Sequence, residues 1–235
     1  MSNEPSVSGR LSVEIWSDVV CPWCYIGKRR FETAVAASGL GSRVEVTWRS
    51  FQLNPDHPRG VRRRHDEYLA AKLGGSVEQV TLLDQRVTAL AAAEGLAYDF
   101  DRYVVVNTFD AHRVAHLAAS QGHGEAIEER LLRGQLVEGE ILDEPATLVR
   151  LAGEVGVPAA DVEAVLVGDA FTREVEDDIR TGLALGLTGV PFFVFDRAIG
   201  VSGAQPAEVF VRALEVAAER AGSAAASPAG ATAPR

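Results

Sequence analysis

The chain has 235 residues, of which 47% are apolar and 24% charged, ordinary globular usage that excludes disordered, collagen-like and low-complexity classes. Its 23 basic and 33 acidic residues leave a net charge of −10, which argues against a general affinity for nucleic-acid backbones or anionic membrane surfaces. A chain of this length removes roughly 70–75% of its unfolded surface from water on folding, so its two cysteines are not needed as staples.

The first ten residues carry a negative charge and no apolar stretch. They read as a disordered N-terminus over 1–10 rather than a secretory signal. No run approaches the ~20 apolar residues of a membrane span, and the default compartment is the cytoplasm. Leu11, Val13 and Ile15 alternate along a strand over 11–17, and Val44, Val46 and Trp48 along a second from Val44 to Trp48. Between them a helix opens at Cys21 and closes near Gly39 or Gly41, giving a strand, helix, strand unit that builds a parallel pair. The basic stretch Arg59 to Arg64 reads as a solvated loop.

From about Asp66 to Gly186 the pattern is helical almost throughout. Ser76 and Gln79 form a capping box, followed by Val80, Leu83, Val87 and Leu90 on one stripe up to Gly95. A helix from Asn107 runs to Gly122, shorter ones lie near 124–137, 144–155 and 159–166, and Phe171, Val175, Ile179 and Leu183 mark another at strict fours. After Gly189 the period turns to two: Phe192 to Phe195 and Ile199 to Val201 read as a hairpin around Asp196-Arg197. Pro206 opens a last helix through Val209, Ala213 and Val216 to near Gly222, and 223–235 reads as a disordered tail. The division is thus 11–60 with 187–222 around a helical insertion over 61–186.

Both cysteines fall in one Cys-Pro-Trp-Cys stretch, Cys21 to Cys24. A bridge across two residues closes too small a loop to constrain the unfolded chain much, so stability is a poor reason for the pair. Cys24 shares a stripe with Gly27, Phe31, Ala34 and Val35 and is expected to be the covered thiol. Cys21, at the helix start before Pro22, is expected to be the exposed one, where free N–H groups and the helix dipole favour a thiolate. An attacking thiol and a nearby resolving thiol are what thiol–disulfide exchange needs.

The pair also supplies half of a zinc site, which His112 and His116 at i, i+4 would complete. A separation of about ninety residues is unlike zinc-finger spacing, so no metal is expected and those histidines read as packing groups. His57, His65 and His123 have no motif support.

The segment 17–32, Ser-Asp-Val-Val-Cys-Pro-Trp-Cys-Tyr-Ile-Gly-Lys-Arg-Arg-Phe-Glu, closely resembles the DsbA-like thiol oxidoreductases, specifically their FrnE-like branch. So do Trp-Arg-Ser-Phe-Gln-Leu-Asn-Pro at 48–55, Asn-Thr-Phe-Asp-Ala-His-Arg at 107–113, Gly-Val-Pro-Phe-Phe-Val at 189–194 and Val-Ser-Gly-Ala-Gln-Pro at 201–206, in the same order. The resemblance implies an α/β, thioredoxin-like fold with an all-helical insertion domain. It implies catalytic Cys21 and Cys24, and a cis Val190-Pro191 bond facing the Cys21 sulfur, with Val190 and Pro191 clamping the substrate backbone. Trp23 with Tyr25 is assigned to a substrate-binding groove. Secreted members usually carry His in the dipeptide, and Trp23 in its place implies a milder redox poise.

The leading expectation is a cytosolic thiol–disulfide oxidoreductase acting on protein or glutathione disulfides. It would use no cofactor beyond its redox-active disulfide, with glutathione as a co-substrate, and have no nucleic-acid or membrane partner. Two other classes compete. One is a glutathione-dependent isomerase or transferase related to 2-hydroxychromene-2-carboxylate isomerase, a class that resembles this chain in outline and typically carries Ser in place of Cys21. The other is a redox-sensing or metal-binding module without turnover.

Overall fold

The structure is a computed structural model that describes residues 9–226. A mixed four-stranded sheet forms the frame, in the order β2 (Val44–Ser50), β1 (Leu11–Ser17), β5 (Phe192–Phe195) and β6 (Ile199–Ser202). β1 runs parallel to β2, with Ile15 opposite Trp48, and antiparallel to β5, with Ile15 opposite Phe193. The parallel pair needs a crossover, which α1 (Pro22–Ser38) supplies. The β5–β6 pair needs only a tight turn, and Asp196 and Arg197 make it with φ of 46° and 54°.

α1 and α9 (Ala207–Ala226) cover one face of the sheet. Leu11, Val13 and Ile15 meet Phe31, Phe193, Phe195, Phe210 and Leu214 there in one apolar cluster. The alternation expected of β1 covers only this face. The strand is central and buried on both sides, with Trp16 packing opposite against Phe51, Leu187 and Val194.

Between β2 and β5 come β3 (Arg63–Arg64), α2 (His65–Leu73), α3 (Val77–Ala93), β4 (Val104–Val105), α4 (Phe109–Ser120), α5 (Gly124–Arg133), α6 (Pro145–Glu154), α7 (Ala159–Val167) and α8 (Thr172–Ala184). The inserted segment is therefore not helical throughout: β3 and β4 pair as a short antiparallel ribbon, too brief to leave a period in the sequence. The Ser76 and Gln79 capping box forms as expected.

Three helix faces differ from the expected stripes. Val80 and Ala91 are buried on α3, while Leu83 and Leu90 are 41% and 39% exposed. On α8 the inward side is Val175, Asp178 and Gly182, and Leu183 is 57% exposed. A stride of four drifts about 40° per step on a helix of 3.6 residues per turn, so a strict run of fours leaves the buried side. On α9, Phe210, Ala213, Leu214 and Ala217 face the sheet, whereas Val209 and Val216 are outside. α9 also continues past Gly222 to Ala226, so the proposed tail does not begin at 223, and its remainder, 227–235, lies outside the described residues. At the other end 1–8 also lie outside, while the carbonyl of Gly9 accepts from Arg43 and Arg10 pairs with Glu45.

The main apolar cluster of the insertion is continuous with Val19, Val20, Cys21, Cys24, Tyr25 and Ile26. The cysteine motif thus sits in the seam between the sheet frame and the inserted helices.

Candidate active site

Cys21 is the N-cap of α1, with Pro22 at the first helical position, where a missing N–H costs nothing. Its N–H donates to Asp18 O at 2.8 Å, and its own carbonyl accepts from Cys24 N–H at 3.0 Å. Together these hydrogen bonds fix the turn that carries the thiol. Both cysteines are free thiols. The Cys21 thiol donates to the carbonyl of Val190 at 3.5 Å, and the Val190-Pro191 peptide is cis. Residues 169 positions apart in the chain are thereby brought together, as the resemblance implied.

Cys21 is not an exposed thiol. Its residue is 3% exposed and Cys24 1%. The reason is the insertion, whose hydroxyl groups close over the turn from one side. Tyr98 OH donates to Pro22 O at 2.6 Å and Tyr103 OH to Val20 O at 2.5 Å, and the Tyr98 ring stacks on Tyr25 at 6.3 Å. Of the dipeptide, Trp23 is the exposed member at 39%. Tyr25, expected beside it in a groove, is buried, and its hydroxyl donates to Glu129 at 2.5 Å.

Burial pushes the Cys24 thiol well above its ordinary value, and the neighbouring Cys21 adds to the rise. The backbone N–H of Asp18 and the hydroxyl of Ser17 act the other way. Ser17 Oγ donates in turn to Glu128 Oε1 at 2.6 Å. Burial raises the Glu128 carboxyl, against the opposing charge of His112. His112 lies 3.4 Å from Asp18 Oδ1; burial lowers its pKa, but the nearby carboxylates of Asp18, Glu128 and Asp178 outweigh this and leave it raised. Asp18 Oδ2 accepts from Leu53 N–H at 2.8 Å, tying the motif to the chain after β2.

This polar set was missed in the sequence. Glu128 did leave a signal, since it interrupts the apolar stripe of Ile127, Leu131 and Leu132 on α5. Ser17, Asp18, Tyr98 and Tyr103 left none, because their partners are backbone atoms or residues remote in the chain. His112 and His116 do not approach the cysteines as a ligand set: His116 bonds Ser50 Oγ at 3.2 Å and pairs with Asp178 at 3.1 Å. Among the described residues no group of three His, Cys, Asp or Glu is placed to hold a metal ion. In the basic stretch, Arg59 pairs with Asp110, Arg62 with Glu144 and Arg64 with Asp66.

Three solved structures are informative neighbours. The probable DsbA oxidoreductase SCO1869 of Streptomyces coelicolor is 46% identical, with a TM-score of 0.86 over 88% of this chain and 90% of that one. The cytosolic disulfide reductase DsbM of Pseudomonas aeruginosa, in a structure with GSH, is 20% identical with a TM-score of 0.61, over 87% of this chain and 98% of that one. A 2-hydroxychromene-2-carboxylate isomerase is 14% identical with a TM-score of 0.63, over 92% of this chain and all of that one. The last two share the fold, which does not separate a reductase from an isomerase. The DSBA-like thioredoxin domain model matches residues 12–215. With that match running through the sheet, the cysteine turn and the inserted helices alike, the chain belongs to the DSBA-like thioredoxin family and is a thiol–disulfide oxidoreductase of that class.

Proposed function

We propose that the chain is a cytosolic enzyme that exchanges disulfides through its Cys-Pro-Trp-Cys turn, with Cys21 attacking and Cys24 resolving. The observation that carries this reading is the position of Cys21, its thiol 3.5 Å from the Val190 carbonyl while Cys24 lies buried behind it. A substrate disulfide is attacked by the Cys21 sulfur to give a mixed disulfide, which Cys24 then displaces as the Cys21–Cys24 bond forms. Val190 and Pro191 flank the substrate sulfur, where the Val190 backbone pairs with an incoming peptide or glutathione as an added strand would. Trp23 offers an exposed apolar face beside the entry.

The cytosolic assignment is supported by the use of both cysteines in the motif, with none left for a structural bridge, and by the shared fold of DsbM, a cytosolic disulfide reductase. No described helix is long and apolar enough to cross a membrane. A second thiol buried behind Cys21 has a role in exchange and none in the competing isomerase chemistry. Trapping tests the roles. With oxidised glutathione, Cys24→Ser is expected to accumulate a stable adduct on Cys21, visible by mass spectrometry, and Cys21→Ser none; the reverse pattern, or no adduct on either variant, overturns the assignment.

A further inference from the structure

The seventeen residues of α3 carry three charges, Glu78, Asp84 and Arg86, and a helix with so few normally packs over most of its surface. Here only one side is covered. Val80 and Ala91 are buried and Val87 partly so, and Asp84 on the same side pairs with His65 of α2. At about 100° per residue the opposite side has Leu82 at its centre, with Glu78, Arg86, Ala89 and Ala93 within about 40° of it and Leu83 and Leu90 along one shoulder. All of these are exposed. Among the described residues, five large apolar side chains stand exposed on α2 and α3, namely Leu73, Val77, Leu82, Leu83 and Leu90. Such a concentration marks an interaction surface, where singly scattered leucines would not.

The charges decide what covers it. Glu78 and Arg86 have no ion pair among the described residues. Eight residues apart, they stand about 12 Å from one another along the helix, too far to pair within one chain. They flank Leu82 symmetrically, four residues on either side. An antiparallel copy of the same helix, related by a two-fold axis through Leu82, sets Glu78 of each copy opposite Arg86 of the other and Leu82 against Leu82. A parallel copy opposes like charges instead. Ala89 and Ala93 on the same side leave room for the two axes to approach to the ~8–10 Å of a packed helix pair.

We propose that the chain forms a two-fold dimer through α3, with Leu82 on the axis and two Glu78–Arg86 ion pairs across it. The inference goes beyond disulfide exchange and does not depend on it. A helix of this length covers about 25 Å by 10 Å, a contact at the small end of specific interfaces, so the dimer dissociates in the micromolar range. The apolar side chains supply the attraction, and the two ion pairs select the antiparallel register over its alternatives.

The test is sedimentation equilibrium of the full chain across the micromolar range, with a reductant present to exclude disulfides between copies. The wild type is expected to associate to a dimer at the upper end. Leu82→Asp places two carboxylates on the axis and is expected to raise the dissociation constant about a hundredfold. Arg86→Glu and Glu78→Arg, each alone, are expected to raise it about tenfold. All three side chains are exposed, so the variants keep the fold, which circular dichroism checks. An equimolar mixture of Arg86→Glu with Glu78→Arg regains both ion pairs, because every acidic position then meets a basic one, and is expected to associate as tightly as the wild type. A wild type that stays monomeric at every concentration overturns the proposal and leaves the surface to a different partner. A dimer that Leu82→Asp leaves intact, or a mixture no tighter than the single variants, also overturns it, since the copies then meet elsewhere or in another register.

Discussion

Gly27 lies so close to Pro191 that a Cβ added to it would stand 2.9 Å from the proline Cγ, with Phe193 at 3.4 Å on the same side. The second turn of α1 and the segment beside the Cys21 thiol are therefore seated directly on one another. A methyl group at this place must push the Pro191 segment or the helix aside. Gly27→Ala is expected to destabilise the protein by about 1–3 kcal/mol and to reduce disulfide exchange at temperatures where the variant remains folded. Thermal melts and exchange rates measured side by side check this; a variant as stable and as fast as wild type shows that the contact does not position the segment.

The two thiols should differ in reactivity for a structural reason. Cys21 meets the Val190 carbonyl at the seam next to exposed Trp23, whereas Cys24 is sealed and raised by burial. Limiting alkylation of the reduced protein near pH 8 is expected to label Cys21 at least tenfold faster than Cys24, read by peptide mapping. Equal labelling would show that the seam opens widely enough to expose both.

The buried pair of His112 and Glu128 gives a pH dependence with a definite sign. Burial raises Glu128 above its ordinary 4.5. For His112 burial acts downward, yet the carboxylates of Asp18, Glu128 and Asp178 lift it above its ordinary 6.5. Both groups hold protons more tightly folded than unfolded. Their contribution is full below the unfolded values and is lost as pH rises through the folded ones. The lowered carboxylates, Asp66, Glu129 and Glu154 among them, act on the acid side of this window. The melting temperature is expected to fall from about pH 5 to pH 8, and His112→Gln with Glu128→Gln should flatten that slope. A slope unchanged in the double variant removes these two residues from the cause.

The frame was legible in the sequence where local rules decide. Period-two runs gave β1, β2, β5 and β6, the Ser76 capping box gave α3, and Pro22 after Cys21 gave the start of α1. The motif also placed Cys24 on the covered stripe. What the sequence hid is what distant segments impose. Tyr98 and Tyr103 meet the carbonyls flanking Cys21 from about eighty residues away and bury a thiol that helix geometry alone leaves exposed. The inward face of α8 includes Asp178 because Ser50 N–H and Arg49 are there to meet it, which no hydropathy pattern shows. The cis geometry at Pro191 came from the family resemblance, since nothing local to Val190 distinguishes it.

Reduction of insulin disulfides, followed in the presence of glutathione with wild type and with the double variant Cys21→Ser, Cys24→Ala, tests the central claim most directly. Exchange through the cysteine pair predicts clear turnover by the wild type and none above background by the double variant. A wild type unable to exchange disulfides, together with a double variant that still converts an unsaturated or aromatic acid with glutathione, would contradict it and place the chain with the glutathione-dependent isomerases.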